Sequence, residues 1–321
     1  MANRPKQTSE YWEKRLKQEQ TYMEKATNVD DITEHYDNAI DDINKKIEAE
    51  YAHLQLSGIS KNKVTNADIK AYEREAKALV KYANQLRKEL GKTVGRNDFT
   101  AQANERMKIY NATMRINRLE YLKAEVALSL IKAGVEVDVD LQKQLNQQYI
   151  DEKVRQAGIL GASVAVASKA TKADKIFKIV SAQIDGATFS DRIWQNTDEL
   201  KARLDVLLTN NVLQGQNANV AARQLRDLVT GDFKDNAKYV TERLARTERT
   251  RIIGQAQIDS YKENGIEYVK WLIESGACRT CVGISEGGKR SEGIYKLDNV
   301  PNYPAHPNCR CSLAGYYERT D

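Results

Sequence analysis

The sequence predicts a mainly α protein. An extended helical N-terminal part is followed by a smaller α+β C-terminal domain with a Cys/His strand–loop unit of the zinc-binding kind. Three observations predict it. Apolar residues recur at helical spacing through the first half. The pattern turns to β-branched and aromatic runs only near residue 265. All four cysteines, and three of the four prolines, lie beyond that point. The expected boundaries are 1–158 for the helical region, 159–185 for a hinge or connecting helix, and 186–321 for the C-terminal domain.

The elements follow in order. The stretch from Thr8 to Thr27 reads as a first helix, with Thr8 or Ser9 as N-cap and an acid in its first turn. Ile32, Tyr36, Ile40, Ile43, Ile47, Tyr51 and Leu54 form a stripe down one face of a second. Asn66 is the expected cap of a third, which carries Ile69, Tyr72, Leu79, Tyr82, Leu86 and Leu90 and stops at Gly91. Lys92–Asp98 reads as a loop. Residues 99–133 read as one long helix ending at Ala133-Gly134, and Asp140–Gln156 as another closed by Gly158. Such stripes need partners, so residues 8–158 form a helical assembly. The small residues from Gly158 onward bury little area and suit the hinge.

Helices resume within Asp198–Gln216 and Asn217–Gly231, separated by the turn at 214–219 with Asn217 as a plausible cap, and again at Asn236–Asn264, closed by Gly265. "GIEYVKWLI" then reads as a strand and "CRCSLAGYY" as a second, with Ser312 and Ala314 alternating against Leu313. The residues between them are turn chemistry.

Composition narrows the function. Hydrophobic residues make up 41% and charged residues 30%, and no run of eighteen apolar residues is present, so no membrane partner is expected. The first residues lack an apolar signal region, and a reducing cytosol is expected. Net charge is only +5, but it is uneven: residues 61–96 hold ten basic and four acidic side chains. Lys70, Lys77, Lys81, Arg87 and Lys88 there, with Arg243, Arg249 and Arg251 later, are the candidate phosphate contacts.

The motif with chemical content is Cys278-x2-Cys281, then, after 24 residues, His306-x2-Cys309-x-Cys311. A cysteine pair in a tight turn brings two thiolates to one tetrahedral ion, and a returning pair completes four ligands. Five donors compete for four places. Cys278, Cys281, His306 and Cys309 are the preferred set, with Cys311 in place of His306 as the alternative. Structural zinc is the expected cofactor, because segment 277–312 is poor in apolar residues. No His-Glu-x-x-His or His-x-Glu motif accompanies the cluster, so no catalytic role is expected.

Read with its flanks, the cluster resembles a known family. "LARTE" (Leu244–Glu248) in a helix, "YVKWLIESGACRTC" (Tyr268–Cys281) and "HPNCRC" (His306–Cys311) occur in that order. The combination is similar to the C-terminal domain of the Mu F-like head-morphogenesis proteins of tailed bacteriophages, over roughly residues 190–315. The resemblance implies a minor capsid protein, not an enzyme. It implies assembly in the host cytoplasm and a place inside the head near the portal. The implied partners are the portal protein, other capsid or scaffolding proteins, and phage double-stranded DNA during packaging or ejection. Family patterns often place an Asp before the first Cys; here Glu274 stands in that region.

Arg246, Thr247 and Glu248, with Trp271, are expected to be structural. Arg246 can pair with Glu242 or reach a carboxylate beside the metal unit, and Glu248 can pair with Arg251. Two other classes compete with the virion reading. A metal-dependent nucleic-acid enzyme needs a His or carboxylate cluster, yet His35 and His53 lie far from His306 in sequence. A zinc-dependent DNA-binding regulator wants a basic recognition helix inside the zinc module, where residues 282–305 are read as loop.

Overall fold

A computed structural model of the chain describes residues 6–57, 63–91, 99–115, 117–162, 172–213 and 218–317. The helices are α1 (Ser9–Ala26), α2 (Asp30–Ser57), α3 (Asn66–Leu90), α4 (Phe99–Thr113), α5 (Arg118–Leu160), α6 (Ala173–Val180), α7 (Phe189–Leu213), α8 (Ala218–Leu228), α9 (Lys234–Glu263) and α10 (Arg279–Ser285). Strands β1 (Tyr268–Leu272), β2 (Ile294–Lys296) and β3 (Ser312–Tyr316) form one antiparallel sheet in the order β2-β1-β3. Among the described residues no helix is long and apolar enough to cross a membrane.

The chain divides into two compact units, and their segments interleave. One takes residues 30–141 and 183–242. The other takes the residues up to Val29, 142–182, and 243 onward. The expected serial boundaries at 158 and 185 are therefore replaced, because α5 and α9 each supply residues to both units. The expected hinge lies partly outside the described residues; its described part contains α6.

The first unit is helical. Ile32, Tyr36, Ile40, Ile43, Ile47 and Tyr51 of α2 are all buried, as their spacing requires. The side chain of Leu54, the loop from Lys92 to Asp98 and the Asn217 cap lie outside the described residues. Tyr72, Leu79 and Ala83 of α3 pack with Met107 of α4, Leu128, Ile131 and Val135 of α5, and Trp194 of α7. Thr65 rather than Asn66 caps α3. Its hydroxyl accepts from Asp68 N–H, and Asp68 accepts from Thr65 N–H in return.

The expected helix break at Gly134 does not occur. α5 runs for 43 residues through it, and the break falls earlier, where Asn117 Oδ1 accepts from Glu120 N–H at 3.0 Å. Gly134 serves close packing instead: a Cβ there would lie 3.0 Å from Thr197 Oγ1 and 3.4 Å from the Trp194 ring. Sequence spacing alone cannot separate a glycine that ends a helix from one that admits a neighbour.

In the second unit, the edge of β3 is covered by glutamine side chains. Gln7 donates to Gly315 O at 2.8 Å and accepts from Tyr317 N–H at 3.2 Å, while Gln257 of α9 accepts from Leu313 N–H at 3.2 Å. These bonds occupy ladder groups that an open edge would offer to another chain. Ser312 through Gly315 are all buried, so the expected alternation is absent. Ser312 is tolerated because its hydroxyl donates to Glu19 Oε2 at 2.7 Å. Glu19, 1% exposed, also accepts from Arg15 and from the Arg155 guanidinium. β2 and α10 were not anticipated: each is short and set among turn residues.

In the helical unit, His35 of α2 meets two acids of α5. Its Nε2 is 2.9 Å from Asp140 Oδ2, and its Nδ1 is 3.6 Å from Glu136 Oε2. Burial opposes the imidazolium, but the hydrogen bonds to Asp140 and Glu136 outweigh it and push the pKa from 6.5 up to about 9. A raised folded pKa gives stability that is complete below about pH 6.5 and lost as pH rises through about 9. Urea melts across that range are expected to show a loss on the order of 1 kcal/mol after solvent screening. His35→Gln should remove that loss.

Candidate metal centre

Cys278 and Cys281 come from the start of α10. Cys278 is its N-cap and Cys281 lies three residues on, so both thiols face one side of the helix entry. His306, Cys309 and Cys311 come from the irregular segment that leads into β3. Cys278 is exposed, His306 half-buried, and Cys281, Cys309 and Cys311 are at most 1% exposed. No disulfide links the four cysteines.

The donors converge. His306 Nε2 is 3.2 Å from Cys278 Sγ and 3.2 Å from Cys281 Sγ, and Cys281 Sγ is 3.7 Å from Cys309 Sγ. Bonds of about 2.0–2.3 Å to one tetrahedral ion place neighbouring donors about 3.4–3.8 Å apart. His306 Nδ1 donates to Pro307 O at 2.8 Å, which leaves the lone pair on Nε2, facing the thiols. Five side chains that sequence spacing grouped are thus one cluster, and it can hold a metal ion. They form two overlapping triads, Cys278–Cys281–His306 and Cys281–Cys309–Cys311, each with its donor atoms within 4.8 Å of one another.

Their protonation differs by site. The backbone N–H of Cys281 holds the Cys278 thiol below its ordinary value, as helix starts do. Burial pushes Cys281 up to about 12. A hydrogen bond from Cys311 brings Cys309 down to about 6, and donating it raises Cys311. Burial opposes protonation of His306, but the bond to Pro307 O and the nearby thiolates outweigh it and raise its pKa.

One stretch of α9 fastens this segment. Arg246 Nη1 donates to Asn308 Oδ1 at 2.6 Å, and Asn308 N–H donates to Thr247 Oγ1 at 2.8 Å. Thr250 Oγ1 donates to Cys309 O at 2.7 Å. Asn308 has φ of +68°, a left-handed conformation that Asn tolerates better than most residues. Glu248 accepts from Arg251 Nε at 2.7 Å, and Arg251 donates on to Ile179 O and Val180 O. Arg246 reaches an amide, then, rather than Glu242 or a carboxylate. Glu274 accepts from Arg310 at 2.8 Å.

Trp271 of β1, 2% exposed, packs edge-on against Tyr303 with centroids 5.3 Å apart, and Tyr303 donates its hydroxyl to Cys311 O. Tyr303 in turn lies on Gly254 of α9. Thr250, Gly254, Tyr303 and Asn308 are the supporting residues that sequence reasoning missed. The one available signal was a glycine inside a predicted helix, which often marks a close approach.

The basic candidates divide. Lys70, Lys77, Lys81, Arg87 and Lys88 of α3 are exposed, as is Arg243. Arg249 and Arg251, expected as phosphate contacts, are buried at 6% and 9%. Arg249 donates to Asn28 O and Gln144, and Arg251 to Glu248 and two carbonyls. Their donors serve the fold, so a phosphate role does not fit these two. Charge density along a helix does not reveal which way each guanidinium turns.

Comparisons with family models, curated proteins and solved structures found no match.

A Cβ on Gly254 would lie 2.1 Å from Tyr303 Cδ1. Gly254→Ala is expected to lower stability by about 1–3 kcal/mol and to displace the Tyr303 segment. Thermal melts and protease cleavage near Tyr303 will measure it. Gly158→Ala, where a Cβ meets nothing within 4 Å, is the control.

Proposed function

We propose that this chain is a minor head-morphogenesis protein of a tailed phage. It is assembled with the portal in the host cytoplasm and lies inside the head near the portal. Its C-terminal unit is tied by structural zinc and turns over no substrate. The observation that carries the reading is the mutual contact of the motif's parts. Arg246 and Thr247 of "LARTE" bond to Asn308 inside "HPNCRC", while Cys278 and Cys281 of "ESGACRTC" meet His306 and Cys309. Residues far apart in sequence that resemble one family thus act together here. Three thiolates and an imidazole favour zinc over harder cations.

DNA contact is assigned to the outer face of α3. Lys70, Arg74, Lys77, Lys81 and Lys88 are all exposed. At 100° per residue they share one acid-free stripe about 27 Å long. The stripe has no aromatic residue on which an unpaired base could stack, which favours duplex phosphates.

Two measurements test this. The protein should co-sediment with procapsids or a purified portal ring, and elemental analysis should find about one zinc per chain. Failure to join either assembly removes the virion reading; a zinc ratio near zero in reducing buffer removes the zinc. On duplex DNA, affinity should fall with salt, and Lys77→Gln with Lys81→Gln should reduce the log–log slope by up to about 2. An unchanged slope removes the α3 assignment.

A further inference from the structure

The five donors do not converge equally on one point. They form two triangles that share Cys281, one reaching the surface at Cys278 and containing the imidazole, the other wholly sulfur. A four-coordinate ion must draw donors from both. The all-sulfur triangle is complete by itself. Cys281, Cys309 and Cys311 have Sγ atoms within 4.8 Å of one another and exposures of 1%, 0% and 0%. The Cys281–Cys309 edge is 3.7 Å. A centre about 2.3 Å from each of three sulfurs, kept pyramidal by a lone pair with angles near about 100°, sets edges of about 3.5 Å. Trp271, Leu313 and Tyr261 belong to the same buried cluster, with Tyr303 packed on it.

We propose that Cys281, Cys309 and Cys311 form a binding site for a trivalent, three-coordinate thiophile of the arsenous acid class. Charge selects this class. Monovalent copper on three thiolates carries a net charge of −2, and a divalent ion carries −1, both costly inside an apolar cluster. Arsenous acid, As(OH)₃, exchanges each hydroxide for a thiolate. Each thiol proton leaves with a hydroxide as water, so three thiols give As(SR)₃ and three waters. Arsenic stays trivalent, no electron is transferred, and the product is neutral. The site shares Cys281 and Cys309 with the proposed zinc set, so the two ions exclude one another, yet it does not require that zinc be present. Cys311, the donor that the preferred zinc set leaves over, is essential here, and Cys278 and His306 are dispensable.

The test uses the full-length reduced chain with excess arsenite, then removal of the unbound reagent. Elemental analysis should find about one arsenic per chain, with loss of any zinc present at the start. Arsenic-edge X-ray absorption should show three sulfur neighbours and no oxygen. Cys278→Ser and His306→Ala should retain arsenic, and Cys311→Ser should lose it at least tenfold. Should Cys311→Ser fail to fold, as judged by its melting curve, the wild-type sulfur count decides alone. Two sulfurs and an oxygen, equal uptake by folded Cys311→Ser, loss in Cys278→Ser, or no uptake by either wild type or Cys278→Ser overturns the proposal. A chain purified without zinc that still takes arsenic on three sulfurs refutes the zinc reading and leaves this one standing.

Discussion

The second unit depends on the junction between one helix and one loop without regular structure. From Val300 to Cys311 the chain forms neither helix nor strand, so its backbone groups must find partners elsewhere. α9 supplies two of them through Thr247 and Thr250, about one turn apart, which bond to Asn308 N–H and Cys309 O, while Arg246 beside Thr247 holds the Asn308 side chain. Gly254 continues the same face one turn later and admits the Tyr303 ring. The position of Cys309 thus depends on the spacing of residues in a helix that carries none of the donors.

The same logic of polar satisfaction governs the rest of the unit. β3 is an edge strand, and Gln7 and Gln257 occupy its outward groups. The buried Ser312 hydroxyl donates to Glu19 and accepts from Gln257, and the buried Glu19 carboxylate is paired with Arg15 and Arg155. Each buried polar group thus relies on another, and the chain of dependence runs from β3 through α1 to α5. Removing one member would leave an uncompensated charge in the interior, which costs more than the bond it made.

Much of this was legible from spacing. The α2 stripe follows helical period, and all its described members are buried. The cysteine and histidine spacing placed five donors in one cluster. Short elements were not legible: β2 has three residues, too few to show a period, and α10 begins at a cysteine with no capping side chain. Gly134 misled because the signal for a helix end and the signal for close helix packing are the same residue. The arginines misled for a related reason. Arg243, Arg249 and Arg251 look alike in composition, but only the first is exposed, since their orientation depends on neighbours distant in sequence. Periodicity reports which face is apolar; it cannot report which polar group on a crowded helix has a buried partner.

The surplus of donors has a structural cause. Cys278 and Cys281 are set by the start of α10, Asn308 and Cys309 by α9, and Cys311 by its approach to β3, where Glu274 N–H donates to its sulfur. Three separate anchors therefore deliver sulfur to one place. A single ion is not needed to bring the donors near, but it is needed to fix which of them act together. Cys281 belongs to both triads and is already buried, so it is the donor the two have in common. The choice between imidazole and the third buried thiol then rests on charge. A divalent ion is better served by the set that reaches solvent through Cys278 and His306, because part of its residual charge stays hydrated there. A neutral complex has no such need and can be enclosed entirely.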